Sequence, residues 1–270
     1  MQGLSSESAP GPGKAGLSVI LITRNEEANI AECLASVGFA DELVVVDSGS
    51  SDATVERARA AGARVLQTTD WPGFGPQKNR ALDLASQPWV LSLDADERVT
   101  PELREELLAL LRQGQPAGEV WSVPRLSSYC GQFMRHGGWY PDRVVRLFRR
   151  GAARFSDDLV HERLVTTQPV RPLRHHLLHY TYRDLEAMLH KMNSYSTAGA
   201  QMMRTAGRRG SLGQAVGRGL WAFVRSYVLR LGFLDGRMGF VLAFSAAENT
   251  YYKYLKSWLA GVGVGPAARS

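Results

Sequence analysis

A chain of 270 residues, 44% of them hydrophobic, can bury a full core as one large domain or as one domain with an appendage. Its two cysteines, Cys33 and Cys130, are too few and too far apart for a disulfide framework or a zinc site, which fits a reducing compartment. The formal net charge of +6 is concentrated in one region: residues 200–260 carry nine Lys or Arg against Asp235 and Glu248, a local +7 that leaves −1 for the rest. Such a region suits an anionic partner, whether nucleic acid, a lipid surface or an acidic polysaccharide.

The opening stretch MQGLSSESAPGPGKAG lacks an apolar core, and the first apolar run, Leu17 to Thr23, is far too short for a signal peptide. Residues 1–16 are therefore expected to be a disordered tail and the protein cytoplasmic. Leu17-Ser-Val-Ile-Leu-Ile-Thr23 reads as a buried strand, followed by a helical pattern through Leu34. Leu43-Val-Val-Val-Asp47 is a second strand, after which Ser51 or Asp52 can cap a helix running to Ala61. Arg64 to Gln67 makes a third strand, a Gly/Pro-rich loop covers Trp71 to Pro76, and Gln77 to Ala85 reads as helix. Trp89 to Leu93 is a fourth strand. This alternation predicts an α/β fold, a parallel sheet with helices on both faces. Pro101 to Arg112 is an amphipathic helix. Val120 to Leu126 and Val144 to Phe148 then look like a mixed or antiparallel extension of the sheet, and from Tyr182 onward the pattern is helical.

In an open α/β sheet, ligands bind beyond the carboxyl ends of the strands. Those ends are polar here: Thr23-Arg24-Asn25-Glu26, Asp47-Ser48 and Asp94-Ala95-Asp96-Glu97. Hydroxyls, amides and carboxylates of this kind suit a nucleotide base, a ribose and a hard cation such as Mg or Mn. Alone, an Asp-x-Asp is most simply a solvated acidic turn that caps the next helix. Its place after a buried strand favours a cation site under a diphosphate leaving group.

The runs Val19-Ile-Leu-Ile-Thr-Arg-Asn-Glu-Glu27, Val44-Val-Val-Asp-Ser-Gly-Ser-Ser-Asp52 and Leu91-Ser-Leu-Asp-Ala-Asp-Glu97 resemble, in order and spacing, the signatures of family 2 glycosyltransferases with the GT-A fold. More narrowly, Gly75-Pro-Gln-Lys-Asn-Arg80, Asp142-Arg-Val-Val-Arg-Leu-Phe148 and Val160-His-Glu162 resemble the bacterial branch that includes lipopolysaccharide inner-core β-1,4-glucosyltransferases. The resemblance implies a GT-A catalytic domain over 17–181, Rossmann-like with a mostly parallel sheet, and a helical region over 182–270. It puts Thr23, Arg24, Asn25 and Glu26 near the nucleotide base, with Asp47 reading the base beside Ser48. Lys78 and Asn79 would approach the ribose or phosphates, Asp94 the ribose side, and Asp96 the divalent cation, Mg or Mn. The implied reaction is inverting transfer from a nucleotide-sugar donor, a UDP-hexose, to a lipid-linked or glycan acceptor of the cell envelope.

Such a transfer needs a base for the acceptor hydroxyl. Glu162 is the first choice and Asp158 the second, with His161 beside them; the alternative is an acidic turn. Among the histidines, His175 and His176 read as ordinary residues, whereas His179 resembles the segment leading back to the diphosphate and is kept as a metal candidate. Trp139 and Tyr140 can stack a sugar ring or pack beneath their own loop.

Val216, Leu220, Phe223, Val224, Tyr227, Val228 and Leu231 recur at helical spacing with Arg218 and Arg225 on another face, and the later apolar run Met238 to Ala247 is too short to span a bilayer. Two readings stand side by side: a helix on the cytoplasmic face of the inner membrane, or packing on the catalytic domain or a second subunit. A sugar nucleotidyltransferase would instead place a Gly-rich phosphate loop after strand one, where this chain has Thr23-Arg-Asn-Glu-Glu27. A non-enzymatic lipid- or nucleic-acid-binding protein would leave the acidic strand ends without purpose, and no nucleic acid partner is expected.

Overall fold

The computed structural model describes residues 15–113, 119–157, 163–182 and 184–263. Nearly all of the expected N-terminal tail lies outside them, as do Asp158, His161 and Glu162. The chain divides into two compact units, residues 1–125 with 143–178 and residues 126–142 with 179–270.

The first unit opens with β1 (Leu17–Thr23), α1 (Ile30–Ser36), β2 (Glu42–Asp47), α2 (Thr54–Ala60), β3 (Arg64–Gln67), α3 (Phe74–Leu84) and β4 (Trp89–Ser92). In chain order, with β7 in the second unit, there follow β5 (Glu97–Val99), α4 (Pro101–Arg112), β6 (Val120–Tyr129), β7 (Gln132–Phe133), β8 (Asp142–Arg149), β9 (Arg154–Phe155), β10 (Leu164–Val165), β11 (Val170–Pro172) and β12 (Leu177–Tyr182). The main sheet runs β3-β2-β1-β4-β8-β6-β12-β5, with β7 and β11 also on β6, while β9 and β10 form a separate ribbon. β6 and β12 begin in the first unit and end in the second.

The β1 sequence alternates between two cores because successive strand side chains point to opposite faces. Val19 and Leu21 join α1, α2 and α4 through Ile30, Leu34, Ala58, Leu103 and Leu107. Ile20 joins Val44 and Val90 against Ala81, Leu82 and Ala85 at α3. Helices thus cover both faces of a mixed, mostly parallel sheet, the architecture expected. Register then sets the site: β1 pairs in parallel with β2, Thr23 opposite Asp47, and with β4, Ile20 opposite Ser92. Three carboxyl ends therefore open on one edge.

The antiparallel extension is also found, with Val90 of β4 opposite Phe148 of β8. α3 starts earlier than expected, at Phe74, because Gly73 adopts φ +111° and Pro76 is tolerated in a first turn. Ala53 occupies the cap position of α2, although Asp52 Oδ1 accepts from Thr54 N at 3.1 Å. α4 is capped as its sequence suggests: Thr100 accepts from Leu103 N, Pro101 opens the first turn, and Leu103, Leu107, Leu110 and Leu111 are buried.

The second unit holds α5 (Leu185–Thr205), α6 (Leu212–Val224), a π turn over Arg225–Leu229, a 3₁₀ turn over Gly232–Asp235 and α7 (Gly236–Gly261). Tyr129, Met134, Met188 and Leu242 form its core, and Tyr129 Oη donates to Ser245 Oγ at 2.6 Å. Gly239 permits the 3₁₀ turn to close on α7, since a Cβ there would lie 1.8 Å from Gly232 O. Lys256 ties α7 to α5 by bonds of 2.7–2.9 Å to Asn193, Ser196 and Thr197. No described helix is long and apolar enough to cross a membrane.

Because Leu107 is fully buried between α4 and the sheet, Leu107→Ala is expected to cost about 2–5 kcal/mol of stability. Urea unfolding followed by circular dichroism measures it; a loss under about 1 kcal/mol would contradict this packing.

Candidate active site

The sharpest structure at the open edge is a buried ion cluster built around the turn after β4. Glu97 N donates to Asp94 O at 3.0 Å, and Asp94 N donates to Glu97 Oε2 at 3.0 Å, so the turn closes on itself. Glu97 is fully buried. Its other oxygen accepts from Arg146 Nη2 at 2.6 Å and from Arg125 Nη1 at 3.5 Å. Arg146 Nη2 also bonds Asp94 Oδ2, and Lys78 Nζ lies 3.1 Å from Asp94 Oδ1. Three cations from α3, β6 and β8 thus hold two carboxylates of one turn.

Burial opposes the charge on Asp94, but Arg146 and Lys78 outweigh it and hold its carboxyl well below the usual range. The same carboxylates raise the Arg146 guanidinium despite its burial. Asp96, two residues on, is half-buried on the turn. Arg98 pins the turn from below through Ala95 O at 2.8 Å. Burial pushes the Cys33 thiol, whose Sγ lies 3.6 Å from Asp94 O, up to about 12.

The β1 and β2 ends form a second group. Asp47 is fully buried and accepts from Thr23 Oγ1 (3.1 Å), Gly49 N (3.1 Å) and Ser50 N (2.9 Å). Its carboxylate therefore shapes the 48–50 loop. Asn25, at φ 56°, completes that loop: Asn25 N donates to Ser50 Oγ, and Asn25 Oδ1 accepts from Ser51 N at 2.9 Å. Glu26 N donates to Thr54 Oγ1 and Glu26 Oε2 accepts from Asn29 at 2.8 Å, while Arg24 is exposed. Ser48 Oγ accepts from Gln77 Nε2 at 3.0 Å, which joins this loop to α3.

The structure thus brings Lys78 of α3 to Asp94 on the turn that also carries Asp96, and sets Thr23, Asn25, Glu26, Asp47 and Ser48 at the ends of β1 and β2 and in the loops that follow. Asn79 behaves differently. It is 7% exposed, and its amide makes a two-way bond to the backbone of Phe155, at 2.9 and 3.0 Å. That makes it a strut between α3 and β9, with each end of the amide bonded to backbone. His179 belongs to the second unit, where Ser127 Oγ and Thr181 Oγ1 lie 2.9 and 3.1 Å from its Nδ1. Among the described residues no three His, Cys, Asp or Glu side chains gather as metal ligands.

Sequence reasoning overlooked Arg146, Arg125 and Gln77. Arg146 had a readable signal: it stands in a strand between Val144, Val145, Leu147 and Phe148, where a buried cation needs an anionic partner.

The glycosyl transferase family 2 model matches residues 18–171, which include both of these groups. The chain belongs to that family. It is 32% identical to the lipopolysaccharide core biosynthesis glycosyltransferase LpsC of Rhizobium meliloti, over 89% of this chain and 94% of that one. An uncharacterized glycosyltransferase of Rickettsia typhi is 30% identical, over 83% and 80%. Among solved structures, S. aureus TarS 1-349 aligns over 92% of this chain and 91% of its own at 18% identity, with a TM-score of 0.47. Glucosyl-3-phosphoglycerate synthase of Mycobacterium tuberculosis, crystallised with Mn2+ and UDP, aligns over 44% and 46% at 30% identity, with a TM-score of 0.36.

Arg146→Met removes the group that neutralises two carboxylates, and an uncompensated buried charge costs about 3–5 kcal/mol. Because the folded-state pKa of Asp94 is depressed, its contribution to stability is present above about pH 4 and fades as pH falls below it. In Arg146→Met the acid-unfolding midpoint should therefore move to higher pH, as read by circular dichroism. An unchanged midpoint would show that Arg146 does not hold Asp94.

Proposed function

We propose that this family 2 glycosyltransferase performs inverting transfer of a hexose from a UDP-sugar to a hydroxyl of a lipid-linked or glycan acceptor, in lipopolysaccharide core assembly. The observation that carries the reading is the Lys78–Asp94–Arg146–Glu97 cluster, placed at the carboxyl end of β4 beside the β1 and β2 loops. The similarity to LpsC over most of both chains supports the envelope-glycan class of acceptor.

In this reading Arg24, Asn25, Glu26 and Ser48 border the base and ribose, and Thr23 and Asp47 act from beneath by holding their loop. Lys78 and Arg146 keep the Asp94 carboxylate ionised and fixed, so that Asp94 can meet the ribose without rearrangement. Asp96 suits a Mg or Mn ion, because such ions are ordinarily held by one or two carboxylates together with substrate phosphates. His179 is a second candidate for that role. Bound there, the ion would neutralise charge developing on the departing diphosphate. The acceptor oxygen bonds to the anomeric carbon as the bond to the diphosphate breaks. The hydroxyl proton passes to Glu162, with Asp158 as the other candidate base.

The second unit supports docking on an anionic membrane face. Phe223, Tyr227, Phe233, Phe240 and Phe244 form a linked series of rings 5.4–6.3 Å apart. In the same stretch of chain Leu220, Leu229 and Leu234 are 65%, 59% and 56% exposed, and residues 200–260 carry a local +7.

Asp96→Ala is expected to lower Mn-dependent transfer by about 10²-fold or more, whereas Glu162→Gln keeps UDP-sugar binding and loses transfer. A screen of sugar nucleotides with Mn decides the matter: no turnover with any donor would overturn the enzyme reading. In co-sedimentation with phosphatidylglycerol vesicles, Leu234→Asp combined with Phe244→Asp should release the protein. Retention at the wild-type level would remove the membrane role.

A further inference from the structure

Within the second unit a cavity of ≈ 410 Å³ is lined by Arg218, Arg225, Arg230 and Lys253 and by no acidic residue. No described carboxylate pairs with any of these four cations; Asp235, the acid nearest in sequence to Arg230, is engaged by His136 Nδ1 at 2.8 Å. Packing contacts border three of the four cations. The Arg218 guanidinium and Lys253 Nζ lie 5.2 and 5.1 Å from the Tyr254 ring centre. Arg230 lies against Gly138, which at φ +87° has no side chain in the way: a Cβ there would stand 2.1 Å from Arg230 Nη1. Four like charges gathered in one concavity raise its affinity for an anion, and guanidinium groups match phosphate geometry.

The cavity offers more than charge. Asn249 also lines it, and its side-chain amide can donate to and accept from a hydroxyl, whereas a phosphate dianion only accepts. Trp139 and Trp221 also line it, and Trp221 is 56% exposed. The volume falls in the range of small-molecule sites, about 300–1,000 Å³. Phosphate, hydroxyl and a flat apolar face together describe one ligand class. We propose that this cavity binds a phosphorylated saccharide, with the phosphate among Arg218, Arg225, Arg230 and Lys253, a ring hydroxyl on Asn249, and the ring against tryptophan. The proposal stands on the second unit alone and does not depend on the donor-site reading.

Isothermal titration of the full-length protein with glucose 6-phosphate, glucose and inorganic phosphate tests it. Saturable binding of glucose 6-phosphate is expected, about tenfold or more tighter than inorganic phosphate and with no detectable binding of glucose. Saturating UDP should leave that affinity within about twofold, which separates this cavity from a nucleotide site. Arg225→Gln and Arg218→Gln should each weaken binding about tenfold at an unchanged melting temperature. Asn249→Leu should reduce glucose 6-phosphate to the affinity of inorganic phosphate, and Arg208→Gln, outside the cavity, should change nothing. Phosphatidylglycerol vesicles provide the last arm. If they displace glucose 6-phosphate, or if inorganic phosphate binds as tightly, the occupant is a bare phosphate or lipid headgroup and the proposal fails. Wild-type affinity in Arg225→Gln and Arg218→Gln would also overturn it.

Discussion

The turn that carries Asp94 and Asp96 is held by an electrostatic constraint: Glu97 is fully buried, and a buried carboxylate is tolerable only if cations reach it. Arg146 meets that need, and by bonding Asp94 with the same nitrogen it ties two carboxylates to one strand. Lys78 then closes the cluster from α3. Because the donors arrive from a helix and two strands of the packed sheet, the turn inherits their rigidity. The cost of desolvating these charges is met by their mutual pairing, which leaves little freedom for the turn to relax.

That constraint separates two aspartates which a motif treats alike. Asp94 lies between Lys78 and Arg146, so its charge is compensated within the protein. Asp96, on the same turn, is half-buried. A cation approaching Asp94 would meet two positive groups before it met oxygen, whereas a hydroxyl-bearing ribose would meet an ionised acceptor already aligned. The proposed division of labour, cation at Asp96 and nucleotide at Asp94, thus follows from local charge and not from the Asp-x-Asp spacing.

The sheet, the helices on both faces and the helical C-terminal region were legible because each rests on periodicity within a short window. β1 alternates between two cores, and the α4 leucines recur at helical spacing. The start of α3 was not, since Gly73-Phe-Gly-Pro76 reads as loop chemistry until tertiary contact makes it a first turn. β5 and β9–β12 are two to six residues long and carry too few side chains to show a period. In the site, carboxylates at strand ends declared themselves by position, yet their partners came from residues up to 52 positions away. Arg146 could have been suspected from its apolar neighbours; which acid it meets is a matter of the β4–β8 pairing. Asn79 shows another limit, because nothing in its motif announces that its amide bonds the Phe155 backbone.

The C-terminal region carries two kinds of surface that sequence averages into one. Its arginines and its aromatics were both visible as an amphipathic pattern, and the pattern alone left a membrane-surface helix and packing on the catalytic domain or a second subunit side by side. Folding into α6, a π turn, a 3₁₀ turn and α7 separates them. The linked rings from Phe223 to Phe244 make an apolar face, whereas Arg218, Arg225, Arg230 and Lys253 line a cavity together with the Asn249 amide. A lipid surface can satisfy the first by area and net charge. It has no reason to require an amide beside four cations in a concavity, and that difference is why the two features call for different partners.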